Sequence, residues 1–474
     1  MASIKKFVYF AVGALFLACA PALIFLRPLS GLNAGAQIML GGTIITLWLW
    51  IFKPFQLPFA VGGLFLAMFA LGRGLPPAVV FAGFTQSAVW TLVPALFFGY
   101  ALHKTGLGKR LALFVLKLFR PSCLSLVLAC VVIGVLLSIL TPSITVRIAI
   151  MVPIATQCCE IVQLQKGSRG NSLVVLTAFA MALVPGTGWL SGSLWGPIIK
   201  GMMDSVPQTE GLLTFSSWAG VLFVPMLIVT VLLVSAAVLL FAPKEAFPPQ
   251  TAQKIRELRL GPPSREEILT AVILLLVFLM FLTGRRHGLP DAAVCLAAVF
   301  CFFLSGVLRA PDFNAGVNWD LIVFIAMALG MGGIFSAVGI TDWLALFIVP
   351  AVGPLAQNPW LFSYALLVLL FAWRFVDVAN FLPTMAILTP ILPALSAAYH
   401  ISPLVWVAFF IMAGNSFFMS YQNMWALLGY SFAGERAWSG KDLALFGLLY
   451  FAACLLALLA AVPLWLGAGL FNAG

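Results

Sequence analysis

A chain of 474 residues that is 63% hydrophobic and only 8% charged cannot hide its apolar surface inside one water-exposed globule. In a soluble domain the net charge of +11 would raise nucleic acid as a partner, but here the Lys and Arg residues lie between apolar runs, where they orient a membrane protein. The three histidines and eight cysteines form no metal-spaced set, and no nucleophile–base pairing or phosphate loop accompanies them, so an enzyme, a cofactor and a zinc site are all disfavoured.

The first apolar run, 7–26, follows Lys5-Lys6. At about 20 residues it is long enough to cross a bilayer, and it reads as an uncleaved helix with its N-terminus in the cytoplasm. Spans follow near 36–52, 57–72 and 86–103, then an amphipathic piece at 106–120 that carries Lys109, Arg110, Lys117 and Arg120. A long apolar stretch at 122–159 is interrupted by Thr141-Pro142-Ser143, and another at 171–203 by Pro185-Gly186-Thr187-Gly188. A span at 214–241 leads to the one polar, proline-rich linker, 243–266. Beyond it come spans near 267–283, 290–308 and 317–337 and an amphipathic piece at 341–357. A stretch at 360–397 is interrupted around Asp377-Val378-Ala379-Asn380, one at 404–432 around Gly414-Asn415-Ser416, and a last span covers 443–470.

The parts run in the same order on both sides of the linker. Local identities agree: Gly99 and Gly332, Gly106 and Gly339, Leu111 and Leu344, and Ala112 and Ala345 all stand 233 positions apart. The expected fold is therefore an all-α polytopic membrane protein with about 11 transmembrane helices in two inverted repeats, each holding a re-entrant hairpin and a broken helix. Its expected divisions are an N-terminal helix (1–35), a first repeat (36–242), a cytoplasmic linker (243–266) and a second repeat (267–474). Lys53, the 106–120 piece, Lys166, Arg169 and the linker then share the cytoplasmic side, while the counterpart piece at 341–357 has no Lys or Arg. Arg285 and Arg286 stand against this arrangement.

Backbone interrupted at membrane depth must line a cavity or be satisfied by protein, and paired interruptions mark a transporter's binding site. At the first tip, Ser143 and Thr145 offer hydroxyls to an anion or cap the next helix. Arg147, one turn on, either binds the anion or braces the hairpin against a backbone carbonyl. At the second tip stand Asn380 and Thr384, preceded by Arg374 and Asp377 on one helix face, either as a neutralised structural pair or as an anion-facing Arg374 held by Asp377. The unwound helices add Thr187, Asn415 and Ser416 to the expected anion site. Ser143, Gly186, Gly188, Asn380 and Gly414 are candidates for a coupling cation such as Na⁺. Any single serine here could instead be helix-packing glue.

These residues resemble the divalent anion–sodium symporter family of di- and tricarboxylate and sulfate transporters, nearest to its 2-oxoglutarate/malate-type branch. The likeness rests on Lys104-Thr105-Gly106-Leu107-Gly108-Lys109-Arg110, on the run TPSITVRIAIMVPI at 141–154, and on Trp319-Asp320, Gly330, Gly332, Gly339-Ile340 and Trp343-Leu344. The resemblance implies a homodimer and an elevator mechanism. A scaffold domain and a moving transport domain would be joined by arms at 106–120 and 341–357. Members carry Ser-Asn-Thr at both tips to hold substrate carboxylates and frame sodium sites. Here the tips read Ser143-Ile144-Thr145 and Ala379-Asn380-Phe381, so the resemblance carries over only to Ser143, Thr145 and Asn380.

The expected function is secondary active transport of a small organic anion, a di- or tricarboxylate, coupled to Na⁺, H⁺ or anion exchange. The rivals are a sulfate carrier and a passive anion channel. The expected setting is the bacterial inner membrane, with no nucleic-acid partner.

Overall fold

The computed structural model describes residues 13–15, 18–26, 28–118, 122–242, 261–375, 377 and 381–471, and every described element is helical or a turn. The start of the first apolar run, most of the linker, and Asn380 lie outside these residues. Among the described residues, six helices are long and apolar enough to cross a bilayer, by length and composition.

After a short helical segment ending at Ala22–Leu26, the first half runs through α1 (Ala34–Phe52), α2 (Phe59–Gly72) and α3 (Ser87–Thr105). Gly106, at φ 80°, turns the chain sharply from α3 into the amphipathic α4 (Leu107–Leu118). Helices α5 (Cys123–Leu140) and α6 (Ile144–Ile161) form the first hairpin. Next come α7 (Arg169–Leu183), two 3₁₀ turns (Pro185–Gly188 and Leu190–Gly192), α8 (Trp195–Asp204) and α9 (Phe215–Phe241).

The second half repeats this succession. It runs through α10 (Arg265–Leu282), α11 (Asp291–Leu304), α12 (Trp319–Val338) and α13 (Ile340–Ala356), with Gly339 at φ 81° in the place of Gly106. The second hairpin comprises α14 (Pro359–Trp373) and a return leg made of α15 (Leu382–Leu388), a 3₁₀ turn and α16 (Leu392–Tyr399). Then follow α17 (Pro403–Gly414), a 3₁₀ turn (Ser420–Gln422), α18 (Met424–Ala433) and α19 (Gly440–Gly467). The predicted interruptions at 141–143 and 185–188 fall where the helices break. In the last broken helix the break in the α-helix extends beyond 414–416, through the 3₁₀ turn to Asn423.

Packing is reciprocal between the halves. Helix α2 lies on α12, and its counterpart α11 lies on α3; α9 lies along its counterpart α19. The molecule sorts into one group around α1–α3 and α10–α12 and another around the hairpins, the broken helices, α9 and α19. In the second group α7 is buried along nearly its whole length and α17 almost as fully. A helix with no polar face of its own is stable only when surrounded, so these two broken helices form the centre.

Both amphipathic helices are pinned at their N-terminal ends. Arg110 of α4 makes a two-pronged pair with Glu267 of α10 at 2.9 Å on each prong and donates to Gly261 O at 2.8 Å. At α13, Trp343 Nε1 donates to Ser30 O at 3.2 Å, and Asn33 Nδ2 reaches Val338 O at 3.3 Å.

Candidate functional site

The first tip is built by local chemistry. Pro142 has no N–H to extend α5, and Ser143 caps α6: its Oγ accepts from the Val146 N–H at 3.4 Å, while its own N–H donates to Thr141 Oγ1 at 3.1 Å. Helix α3 presses on this tip at Gly99, where a Cβ would come within 2.8 Å of Ser143 Cβ and 3.2 Å of Thr141 Oγ1. A larger residue at Gly99 would displace the tip.

Two cavities flank the tip. One of 360 Å³ is bounded by α3, the start of α6, α8, α12 and α18, and holds Ser143 and Thr145 on its wall. The other, of 460 Å³, lies between α3, α8, α10 and α11 and touches Leu140 and Pro142. The tip is thus a wall between two chambers.

Behind the tip each half has a fully buried arginine. Arg147 Nη1 donates to Gly192 O of the first broken helix at 2.5 Å and to Thr141 O of the tip at 3.3 Å. Arg374 donates to Gln422 O of the second broken helix and to Asp377 O at the second tip. The two acceptors are equivalent. Gly192 and Gln422 are 230 positions apart, as are Ser193 and Asn423, each two residues before a first-turn tryptophan, and those tryptophans, Trp195 and Trp425. Ser193 Oγ accepts from Trp195 N–H at 3.2 Å, and Asn423 Oδ1 accepts from Trp425 N–H at 3.0 Å. The two indoles meet edge to face with centroids 6.0 Å apart. The arginines themselves are not at equivalent positions: Arg147 follows its tip, whereas Arg374 precedes its own.

The remaining predicted residues separate into layers. Ser143 and Thr145 share the smaller cavity. Thr187 and Asn415 do not line it but meet each other, Asn415 Nδ2 donating to Thr187 Oγ1 at 3.2 Å, with Trp218 Nε1 of α9 holding Thr187 O at 3.0 Å. The Asn415 Oδ1 and the Ser416 hydroxyl are buried there without a partner among the described residues. Thr384 is engaged elsewhere: its hydroxyl donates to Asp377 Oδ2 at 2.5 Å and accepts from Trp373 Nε1 at 2.8 Å. Gly186 is crowded, since a Cβ would lie 2.3 Å from Gly192 O and 2.7 Å from Arg147 Nη1. Gly188 and Gly414 have ordinary room.

Sequence reading missed Tyr100, His103, Asn318, Trp195 and Trp425, all on the cavity wall. The 230-position match around the two tryptophans was the available signal for that pair. Tyr100 belongs to a second polar knot, donating to Asp312 Oδ1 at 2.9 Å, while Lys104 Nζ reaches Asp312 Oδ2 at 2.5 Å. Burial pushes the Asp312 carboxyl up, but Lys104, the Arg309 N–H and Tyr100 together outweigh it and hold the carboxyl below its ordinary range. Because the folded value is the lower one, this knot stabilises fully above the unfolded carboxylate value near ~3.9, and its contribution fades as pH falls through the folded value. Thermal unfolding followed from pH 7 downward should therefore lose an acid-side slope in Asp312→Asn; an unchanged slope would remove the knot from the account.

The chain matches the family described as the sodium:sulfate symporter transmembrane region over residues 10–470. It is 26% identical over 321 residues to the chloroplastic dicarboxylate transporter 1 of Arabidopsis thaliana, covering 66% of this chain and 57% of the relative. The inner membrane protein YbhI of Escherichia coli is 22% identical over 336 residues, covering 68% of this chain and 69% of that one. The chain thus spans little more than half the length of the chloroplast relatives it matches. The solved structure of the Alcanivorax borkumensis YdaH transporter, described as having an unusual topology, superposes with a TM-score of 0.54 at 16% identity over 84% of this chain and 89% of that one, a likeness of fold.

Proposed function

Because this chain belongs to the sodium:sulfate symporter family of membrane transporters, we propose that it carries a small organic carboxylate by exchange against a second anion, without sodium. The observation that carries this reading is Arg147. It is fully buried, lies one turn from Ser143, and among the described residues pairs with no carboxylate. A guanidinium stays protonated, so the unit holding the tip bears a fixed positive charge at the point where a coupling cation was expected. A coupling cation beside Ser143 would be repelled by that fixed charge, and the nearby carbonyls of Thr141 and Gly192 each already accept from Arg147.

Exchange follows from the cost of moving that charge. With an anion at Ser143 and Thr145, the guanidinium is compensated. Without one, an unpaired charge must cross a low-dielectric region, so the empty carrier returns slowly and net flux needs an anion on both sides. The two cavities on opposite faces of the tip fit alternating exposure of one site. The pinned N-terminal ends of α4 and α13 fit arms that hinge on a scaffold made of α1–α3 and α10–α12, with the hairpin group moving as an elevator in each protomer of a homodimer. We take the N-terminus as cytoplasmic and the membrane as of the bacterial inner type, because Lys53, Lys109, Arg110, Lys166 and Arg169 then share one side.

The purified protein in liposomes tests the reading. Uptake of labelled carboxylate should require unlabelled anion inside, and should be unchanged when Na⁺ is replaced by K⁺ or when a proton gradient is collapsed. Uptake into anion-free vesicles driven by a Na⁺ gradient would overturn it, and current through single open pores would make the protein a channel.

A further inference from the structure

The smaller cavity has a donor on its wall besides the hydroxyls of the first tip, and we infer that Trp425 is a cargo-binding residue whose indole N–H holds an acceptor oxygen of the carried anion. The inference rests on the carboxylate-exchange reading and gives that site a contact from the second half of the chain.

Trp425 is the second residue of α18. Asn423 fixes its backbone and ties it across the break: Oδ1 accepts from the Trp425 backbone N–H at 3.0 Å, and Nδ2 donates to Ser416 O at 3.3 Å. The residue before that cap, Gln422, gives its carbonyl to the buried Arg374. The ring is held in turn by its edge-to-face contact with Trp195. A side chain fixed at both ends is placed before the cargo arrives, so little freedom is lost on binding. The two tryptophans occupy equivalent places but present themselves differently. Both line the cavity. Trp195 is 2% exposed and its indole N–H is sealed in the interior. The ring edge beside that N–H faces Gly414, where a Cβ would lie 3.8 Å from Trp195 Cζ2. Trp425 is 5% exposed, and its indole N–H makes no hydrogen bond with the described residues, yet it is not sealed in as that of Trp195 is. A donor left open to a chamber is satisfied by whatever fills the chamber.

What this donor can hold follows from its chemistry. The indole nitrogen donates and does not accept, and it is neutral. It therefore takes a carboxylate or keto oxygen, offers nothing to a cation, and adds no charge to that of Arg147. A hydrogen bond to an ionised oxygen is about twice as strong as one between neutral groups. The start of α6, with Ser143, Thr145 and the first N–H groups of an 18-residue helix, forms the polar end of the same chamber. Helix α18 packs against α6: a Cβ on Gly429, one turn beyond Trp425, would lie 3.6 Å from Ile148 Cγ2, one turn beyond Ile144. The two helix starts thus belong to one body, the hairpin group. An indole contact made there would travel with the cargo and act on both faces of the membrane.

Full-length protein in liposomes loaded with unlabelled pyruvate, malate, 2-oxoglutarate or citrate tests this by counterflow of the same labelled acid. For the acids exchanged, Trp425→Phe should raise half-saturation at least about ten-fold and change the maximal rate less than about two-fold, because a donor lost to the bound anion acts on binding. Phenylalanine also removes part of the ring. A second variant isolates the donor: 3-benzothienylalanine incorporated at position 425 keeps the outline of indole and puts sulfur in place of the N–H. It should reproduce the rise in half-saturation with the unliganded melting temperature unchanged, and it answers the question if the phenylalanine variant does not fold. The thermal stabilisation that an exchanged acid gives in detergent should shrink in the same variant, a binding readout independent of transport. Wild-type half-saturation in the sulfur variant would overturn the inference, whatever phenylalanine does, and leave carboxylate exchange standing. If the unsubstituted protein neither exchanges nor is stabilised by any of these acids, both readings fall together.

Discussion

Arg147→Met is expected to lower anion exchange about 100-fold, equivalent to ~2.7 kcal/mol at the transport barrier, and to free the residual flux from its need for internal anion. Methionine keeps most of the length and apolar stem of arginine but supplies no donor. The carbonyls of Thr141 and Gly192 would then be buried without partners, at about 1–3 kcal/mol each, and the first tip would lose its tie to the first broken helix. A simple brace predicts only that loss, seen as a lower melting temperature with coupling intact. The exchange reading predicts more: with the fixed charge gone, the empty carrier no longer moves an unpaired cation, and whatever transport survives proceeds into anion-free vesicles. Arg147→Lys separates the two effects. An ammonium keeps the charge but replaces the planar guanidinium with a compact donor on a shorter stem, so stability should fall while the counter-anion requirement stays. A methionine variant that exchanges at the original rate, with the original dependence on internal anion, would dismiss Arg147 from the mechanism.

Most of the helices were legible in the sequence because membrane depth imposes simple rules. Helix α9 was read as 214–241 and is Phe215–Phe241, and α13 was read as 341–357 and is Ile340–Ala356. The first tip was legible because proline and a capping serine act on their immediate neighbours. The acceptors of the two buried arginines were not. Arg147 reaches an acceptor 45 positions away and Arg374 one 48 positions away, and both acceptors are backbone carbonyls that carry no side-chain signature. The sequence therefore left Arg147 between anion and brace, and the structure places its Nη1 between two carbonyls. The tryptophan pair was hidden for another reason. In a chain with 14 tryptophans, two more in apolar runs attract no notice until Leu190–Gly192 and Ser420–Gln422 are seen to be the same turn. Those segments share almost no identities, because what is repeated is a backbone course and a short-chain cap.

That repeated turn also predicts an asymmetry. Gly196→Ala is expected to destabilise the protein by ~3 kcal/mol or more, enough to lose most folded material, whereas Ala426→Gly at the equivalent place should cost only about 0.5–1 kcal/mol. Gly196 and Ala426 both lie one residue past the paired tryptophans, in the first turn of α8 and of α18. The motif itself accepts a methyl group, as Ala426 demonstrates. In the first half, however, the chain folds back so closely that a Cβ on Gly196 would stand 1.7 Å from Leu190 O and 2.8 Å from its carbon. Those are backbone atoms of a 3₁₀ turn that cannot rotate aside. Relief would have to come from moving Leu190–Gly192, which carries the carbonyl that Arg147 holds, or from tilting α8, which carries Trp195. Either movement dismantles the polar end of the cavity. Folded yield and thermal unfolding of the two variants, compared under one detergent, check the contrast. Equal tolerance at both positions would mean that the first break relaxes freely, and the tight coupling drawn here between the turn, Arg147 and the cavity wall would then be wrong.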